Sequence, residues 1–288
     1  MSARLEDTRY ARYEGVRRAP WLALVSLARW SAFGALGARK SWRAKFLPVT
    51  LTLIALLPAF AVLAIRAIVG QRFQTRFPEL IPYRQYLTEI GLDVTIFAAI
   101  LCPELLCPDR RDNVLSLYLS TAVGRFAYVA GKLMAAIVPL LALTLLPVLL
   151  LFVGNTFFAD SATGYLADHW GDVFRIVASG LLLACYVSLV GLAVAAFTSR
   201  RAFALGTYAG LMLIPTFVGG SLVGGAGVDK HLQLIELGRL PIAAARALYG
   251  GEQDPEFALQ GWWWWLACAV VMTISAGCLW WRYRRADA

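Results

Sequence analysis

Six long apolar runs constrain this chain more than any other feature: roughly Phe46 to Val69, Tyr86 to Cys107, Ala127 to Val153, Val173 to Phe197, Ala202 to Val223 and Trp262 to Trp281. Each is near the ~20 residues that an α-helix needs to cross the hydrocarbon core of a bilayer. In lipid, every backbone N–H and C=O must find its partner inside the segment, which leaves only helices and closed barrels. Continuous apolar runs of this length select helices. The expectation is an all-α, polytopic membrane protein of about six transmembrane helices. Pro48, Pro58, Pro139 and Pro147 fall inside the runs, where a membrane helix tolerates them at the cost of a kink.

Composition agrees. The 288 residues are 59% hydrophobic and 16% charged, against roughly a quarter charged in a soluble domain. The tryptophans cluster where a membrane helix meets water. Trp262 to Trp265 open the last run, and Trp280 and Trp281 close it. An indole ring is apolar, but its N–H seeks a polar partner, so it favours that interface.

The net charge of +9 follows topology better than nucleic-acid binding, and no nucleic-acid partner is expected. With the N-terminus inside, 19 of the 27 Lys and Arg fall on the inner side. They include ten in residues 1–45, then Arg110, Arg111, Arg125, Lys132, Arg200, Arg201 and the closing Arg282, Arg284 and Arg285. Eight fall outside, where Asp160, Asp168, Asp172, Glu252, Asp254 and Glu256 also lie. The asymmetry places both termini in the cytoplasm. Cleavable leaders carry an apolar core followed by a small-residue cleavage site, and the opening residues show no such pattern. Insertion through the chain's own spans is therefore expected.

Two regions follow. Residues 1–45 form a basic tail, in which Trp21, Leu22, Leu24, Val25, Leu27, Trp30 and Phe33 make an apolar patch too short to span. That patterning predicts an amphipathic helix lying at the cytoplasmic interface, with a solvated basic tail as the alternative. Residues 46–288 form the six-helix transmembrane domain. Between its fifth and sixth spans, residues 228–260 are too broken by charge and Pro241 to cross. They predict one or two short helices on, or dipping into, the outer face.

No catalytic set is visible, and the chain is not expected to be an enzyme. A nucleotide-binding loop needs glycines whose amides cradle phosphate, ending in Gly-Lys-Ser/Thr. Here Gly131 and Lys132 are followed by Leu133, with no glycine five positions before Gly131. His169 and His231 lie in outer loops and form no metal-binding pair. Ser221 follows Gly219 and Gly220, but Val223 breaks the spacing of a serine-nucleophile turn. The cysteines Cys102, Cys107, Cys185, Cys268 and Cys278 are odd in number and lack a Cys-x-x-Cys pair, so they read as buried thiols. No cofactor or metal is expected on this chain.

Charges within the spans are few. Glu89 and Asp93 are four apart, so they share one face near the outer end of the second span. Arg66 lies at a matching depth in the first. Isolated charges are expensive there, so a pairing of Arg66 with one of them is expected. Two readings remain open: a substrate or ion contact, and a structural ion pair. Glu104 lies near the inner end of the second span.

The stretch from Leu101 to Lys132 reads LCPELLCPDRRDNVLSLYLSTAVGRFAYVAGK. Pro103 and Pro108 are expected to break the second span's inner end. Asp109, Arg110, Arg111 and Asp112 then sit at the cytoplasmic boundary. Val114, Leu115, Leu117, Tyr118 and Leu119 are apolar but bracketed by charge, which predicts a short amphipathic helix at the inner face. Ser120 and Thr121 are candidate N-caps for the helix leading into the third span. Such a helix is shaped to enter a groove on a cytoplasmic partner; a plain interfacial loop is the alternative.

Here the sequence resembles the permease subunits of type-2 ABC exporters. Their loop between the second and third spans carries an acid, an Arg, a leucine-rich helix, Ser/Thr, Arg, an aromatic and Gly-Lys. Glu104, Asp109, Arg111, Leu115, Tyr118, Leu119, Ser120, Arg125, Tyr128, Gly131 and Lys132 stand in those places. Ala122 and Val123 replace the usual small residue and proline. The resemblance covers the topology of the whole chain. It implies a permease dimer on two copies of a separate cytoplasmic ABC ATPase, in a bacterial inner membrane and surrounded by lipid, with ATP used by the ATPase. It also implies that Asp109, Arg110, Arg111, Asp112, Val114, Leu115, Tyr118, Leu119 and Arg125 form a coupling helix seated on that ATPase. The alternatives are a secondary transporter and a non-transporting assembly or signalling subunit.

Overall fold

A computed structural model describes residues 20–38, 42–73, 82–114, 124–159, 161–225, 230–250, 259 and 261–284. Leu115, Leu117, Tyr118, Leu119, Ser120 and Thr121 lie outside the described residues, as does the start of the basic tail. All regular structure among the described residues is helical. In order these are α1 (Pro20–Ala35), α2 (Trp42–Phe73), α3 (Tyr83–Glu89), α4 (Gly91–Arg111), α5 (Arg125–Phe158), α6 (Ala162–Asp168), α7 (Trp170–Ala195), α8 (Arg201–Gly225), a 3-10 turn (Lys230–Ile235), α9 (Leu240–Ala247) and α10 (Gly261–Arg284). Six of them, α2, α4, α5, α7, α8 and α10, are long and apolar enough to cross a membrane. The chain is thus a multi-pass, all-α membrane protein.

The spans are not equivalent. Two-thirds of the apolar window of α4 and of α7 is buried against other helices, whereas in α2, α8 and α10 about a fifth is. So α4 and α7 form the centre, α5 packs on both, and α2, α8 and α10 turn broad apolar faces outward. A helix apolar all round suits either a core or lipid, and here both uses occur in one bundle. Small residues let the central helices approach. A methyl group added at Gly191 of α7 would lie 2.6 Å from Cys102 Sγ on α4, and at Gly180 2.6 Å from Leu145 Cδ2 on α5. Close approach through small residues is how helices gain packing energy where lipid offers no hydrophobic drive.

Three local features depart from the sequence reading. First, the second span is interrupted. Helix α3 ends at Glu89, Ile90 serves as its C-cap and as the N-cap of α4, and α4 begins at Gly91. Just past the break α9 packs closely on the chain, because a side chain at Gly91 would collide with Ile242 Cδ1 at 2.3 Å. Second, α4 does not stop at Pro103 or Pro108 but runs through both to Arg111. Neighbouring side chains steady the turn around Pro108. Lys132 Nζ donates to Leu105 O at 2.9 Å, and Arg110 Nη1 donates to Ala196 O. The helix ends instead at Asn113, in the left-handed region at φ 52°. Val114 N–H returns to Asp109 O at 3.0 Å, the closure of a Schellman motif with asparagine in the usual glycine place. Third, the N-cap of α5 is Gly124, with no side-chain cap, rather than Ser120 or Thr121.

The segment before the last span matches its expected short helices. Its described residues fold as the 3-10 turn and α9, and α9 is inserted rather than laid on the surface. Leu240, Ala244 and Ala245 are wholly buried among α3, α7 and α10. Nearby, burial pushes the Tyr249 hydroxyl up to about 12, and it lies 3.2 Å from Ser179 Oγ.

Candidate functional site

One end of the bundle is basic. Arg110, Arg111, Arg125, Lys132, Arg200, Arg201, Arg282 and Arg284 all fall there, at the ends of α4, α5, α7, α8 and α10. Among these helix ends is a clasp of three side chains. Asp109, in the last turn of α4, places Oδ2 2.7 Å from Lys132 Nζ, and Tyr128 OH donates to the same oxygen at 2.8 Å. Lys132 and Tyr128 lie one turn apart on α5, so both reach one point on α4. The Lys132 ammonium also stands 5.6 Å from the Tyr128 ring centroid, and Tyr283 of α10 packs on that ring at 5.5 Å. The side chains of Lys132 and Asp109 are 5% and 15% exposed. A pair so far from solvent is costly to separate, since either charge left alone is unsatisfied.

Further contacts carry the clasp into the rest of the bundle. Glu104 Oε1 meets Arg201 Nη1, at the start of α8, at 2.6 Å. Arg110 reaches the end of α7 at Ala196 O. Arg125 Nη1 donates to Arg284 O on α10 at 3.0 Å. Leu27 of α1 lies over Gly131, where a methyl group would come within 2.9 Å of Leu27 Cδ2. Every span except α2 is therefore touched within about two turns of the loop that joins α4 to α5.

The residues expected to form the coupling element divide into two sets. Asp109 and Arg110 belong to the last turn of α4 and turn inward onto α5 and α7. Arg111 and Asp112 are exposed and pair with each other at 2.8 Å, and that hydrogen bond holds the Asp112 carboxyl below its usual range. Val114 is half-buried in the closing turn, and Arg125 is exposed at the start of α5. Leu115, Tyr118 and Leu119 lie outside the described residues.

No protein-family model matches the chain, and no curated protein matches it either.

At the opposite end the expected pairing of Arg66 with Glu89 or Asp93 does not form. The break at Ile90 separates the two acids: Glu89 ends α3 exposed, while Asp93 turns into the bundle at 8% exposure. Asp93 Oδ2 has no hydrogen-bond partner among the described residues. Arg66 instead donates to Asn155 Oδ1 on α5. Asn155 Nδ2 donates to Tyr83 OH at 2.9 Å, and Tyr83 OH lies 2.9 Å from Tyr165 OH on α6. Tyr165 stacks on His169 with ring centroids 4.1 Å apart. This polar layer, with Arg66 its one cation among the residues just named, ties α2, α3, α5 and α6 together. Asn155 lies just past Val153, the expected end of the third run, where a polar residue reads as the start of a loop; the helix instead continues to Phe158. A second buried acid, Glu236, sits at 2% exposure with Arg239 Nη1 3.4 Å from Oε2. It lies between the 3-10 turn and α9, in a segment whose sequence does not separate it from surface charge.

Proposed function

We propose that this chain is the membrane subunit of an ATP-driven exporter, forming the translocation pathway and taking its drive from a separate cytoplasmic ATPase. The observation that carries the reading is the buried clasp of Asp109, Lys132 and Tyr128. It closes the base of the loop in which the resemblance to type-2 ABC permeases lies. A loop that receives force from a partner is useful only if its ends are rigidly joined to the moving helices. The clasp locks the end of α4 to the start of α5, and Arg110 and Glu104 extend the connection to α7 and α8. A shift of the loop then moves several spans together rather than fraying one helix end.

In this reading the basic end is cytoplasmic, both termini lie there, and α1 rests at the inner interface of a bacterial inner membrane. The chain pairs with a second permease subunit, as a homo- or heterodimer, and two ATPase subunits sit beneath them. ATP binding favours one global arrangement of the spans and hydrolysis restores the other, so coupling is the difference in contact energy between the two states. The exposed Arg111 and Asp112, with Leu115, Tyr118 and Leu119, form the contact. ATP stays on the partner, and this chain contributes no catalytic group.

The test is purification of the chain with the products of neighbouring genes in nanodiscs, followed by ATPase assay. An ATPase should co-purify, and Arg111→Glu or Leu115→Asp should abolish its stimulation while leaving membrane insertion intact. Stimulation unchanged in both variants overturns the reading.

A second reading draws on Asp93. A buried carboxyl with an unpartnered oxygen is the kind of group that ion-coupled secondary transporters use. Uptake or efflux driven by an imposed proton gradient, without ATP and lost in Asp93→Asn, would favour it.

A further inference from the structure

One hydroxyl of α3 is built into the backbone of α2. Tyr86 OH donates to Ala55 O at 2.6 Å, and its oxygen takes a backbone hydrogen bond from Ala59. Those two groups, four residues apart, are the acceptor and the donor of one rung of the α2 ladder. Pro58 stands between them. A proline inside a helix removes one rung, and a side chain that enters the ladder opens another, so two causes of a helix bend coincide here. Ala55, Ala59 and Tyr86 are all buried.

Asp93 stands beside this joint. Leu51 of α2 lines one cleft with Phe97 and Leu101 of α4. The two helices run in opposite directions, so the next turn of each brings Ala55 level with Asp93. At 8% exposure the Asp93 side chain is buried, its Oδ2 has no hydrogen-bond partner among the described residues, and its charge acts on the Tyr86 hydroxyl. The charged groups at this end of the neighbouring elements bond elsewhere: Arg66 of α2 to Asn155, Arg246 of α9 to Thr88 Oγ1 at 3.1 Å, Arg175 of α7 to Asp172, and Glu236 to Arg239. Glu89 of α3 is exposed. No charged residue occurs in α5 between Lys132 and Asn155, in α7 after Arg175 or in α8 after Arg201; the titratable groups there are Cys185, Tyr186 and Tyr208.

An ionised carboxyl in such a place needs a donor, and the Tyr86 O–H is the one beside it. A hydrogen bond from a hydroxyl to a carboxylate is roughly twice as strong as one to a neutral carbonyl. Ionisation therefore draws the O–H away from Ala55 O, and the Ala59 N–H closes the rung directly. Protonation removes that advantage, and the hydroxyl returns to α2.

We propose that Asp93 takes up a proton from water and releases it there, and that its protonation state sets the bend of α2 at Pro58 through Tyr86. The arrangement described, with the hydroxyl in the ladder, is the protonated one, and release of the proton straightens α2. The inference shares Asp93 with the second reading above but does not rest on it, because the joint belongs to this chain and needs no transported ion.

The test follows the full chain in nanodiscs through a pH titration with two readouts. Infrared difference spectra report the C=O stretch of a neutral carboxyl. Double electron–electron resonance reports the distance between spin-label amino acids incorporated in place of Leu47 and Ile68, exposed positions on either side of Pro58. In the otherwise unaltered chain, raising the pH should remove one neutral-carboxyl band and lengthen the α2 distance with the same midpoint. Asp93→Asn should lack that band and hold the shorter distance at every pH. Tyr86→Phe should keep the titrating band while the distance stays long, because no hydroxyl enters the ladder. A neutral-carboxyl band unchanged by Asp93→Asn overturns the proposal, as does a distance that ignores pH in the unaltered chain or still follows pH in Tyr86→Phe.

Discussion

Lys132 Nζ stands 2.7 Å from Asp109 Oδ2 and 2.9 Å from Leu105 O, so one ammonium on α5 satisfies both a carboxylate and a carbonyl near the end of α4. Removing one member strands the other. Lys132→Met should destabilise the protein by ~3–5 kcal/mol, because Asp109 is left buried and uncompensated. The double variant Lys132→Met with Asp109→Leu should recover most of that loss. Thermal unfolding in detergent measures both. A double variant no more stable than the single would mean that the pair is not coupled as the geometry requires.

The layer at the opposite end gives a weaker effect of different origin. Asn155 accepts from Arg66 and donates to Tyr83, and it is 5% exposed. Asn155→Leu removes both bonds and leaves buried polar groups facing an aliphatic side chain, at a cost of ~1–3 kcal/mol. Tyr83→Phe leaves Asn155 its bond from Arg66 and should cost less. The same unfolding measurement ranks the two, and a reversed order would show that Tyr83, rather than Asn155, holds the layer.

Much of this architecture is legible in the sequence, and the reasons for the rest are physical. The spans were readable because length and apolarity set transmembrane helices almost alone. The final run read as Trp262 to Trp281, and the helix is Gly261–Arg284. Helix breaks and side-chain direction were not readable, because hydropathy reports composition and says nothing of azimuth. Glu89 and Asp93 share a face only if the helix between them is continuous. It is interrupted at Ile90, and Gly91 beside the interruption packs on Ile242 of α9, a contact some 150 residues away in sequence that the run itself does not encode. Asp109 seemed a boundary charge because it precedes Arg110 and Arg111. Its inward turn depends on Lys132, whose place in an apolar helix makes sense only once its partner is seen. Asn155 escaped notice because it carries no charge.

Two glycines separate a tolerant contact from an intolerant one. At Gly238 an added methyl group meets Met212 O at 2.9 Å and Thr216 Oγ1 at 2.8 Å, and the Gly238 N–H is hydrogen-bonded to that same hydroxyl. Backbone cannot yield as a side chain can, and Gly238 lies in a turn with no helix propensity to gain. Gly238→Ala should destabilise by ~1–3 kcal/mol. Gly131→Ala meets Leu27 Cδ2 at 2.9 Å and Cγ at 3.3 Å, a side chain that can shift, while the backbone comes no nearer than Leu24 O at 3.5 Å, and it recovers ~0.5–1 kcal/mol of helix propensity. It should be nearly neutral, and a large loss at Gly131 would show that α1 is held too tightly to shift.

The two halves of the sequence at the base of the loop between α4 and α5 should fail in different ways, which separates the clasp from partner contact. Arg111 and Asp112 are exposed and bonded mainly to each other, so Arg111→Glu should leave the unfolding temperature unchanged. If the loop seats on an ATPase, the same variant should abolish stimulation, because the reversed charge now faces the partner. Asp109→Asn acts from within. It removes the charge that Lys132 needs, lowers the unfolding temperature, and should uncouple ATP hydrolysis from substrate movement while the ATPase still binds. The decisive pair of readings is therefore ATPase co-purification and stimulated turnover, taken on both variants beside their melting curves. Loss of ATPase binding in Asp109→Asn at unchanged stability would reverse the assignment, making Asp109 part of the contact and the clasp incidental to coupling.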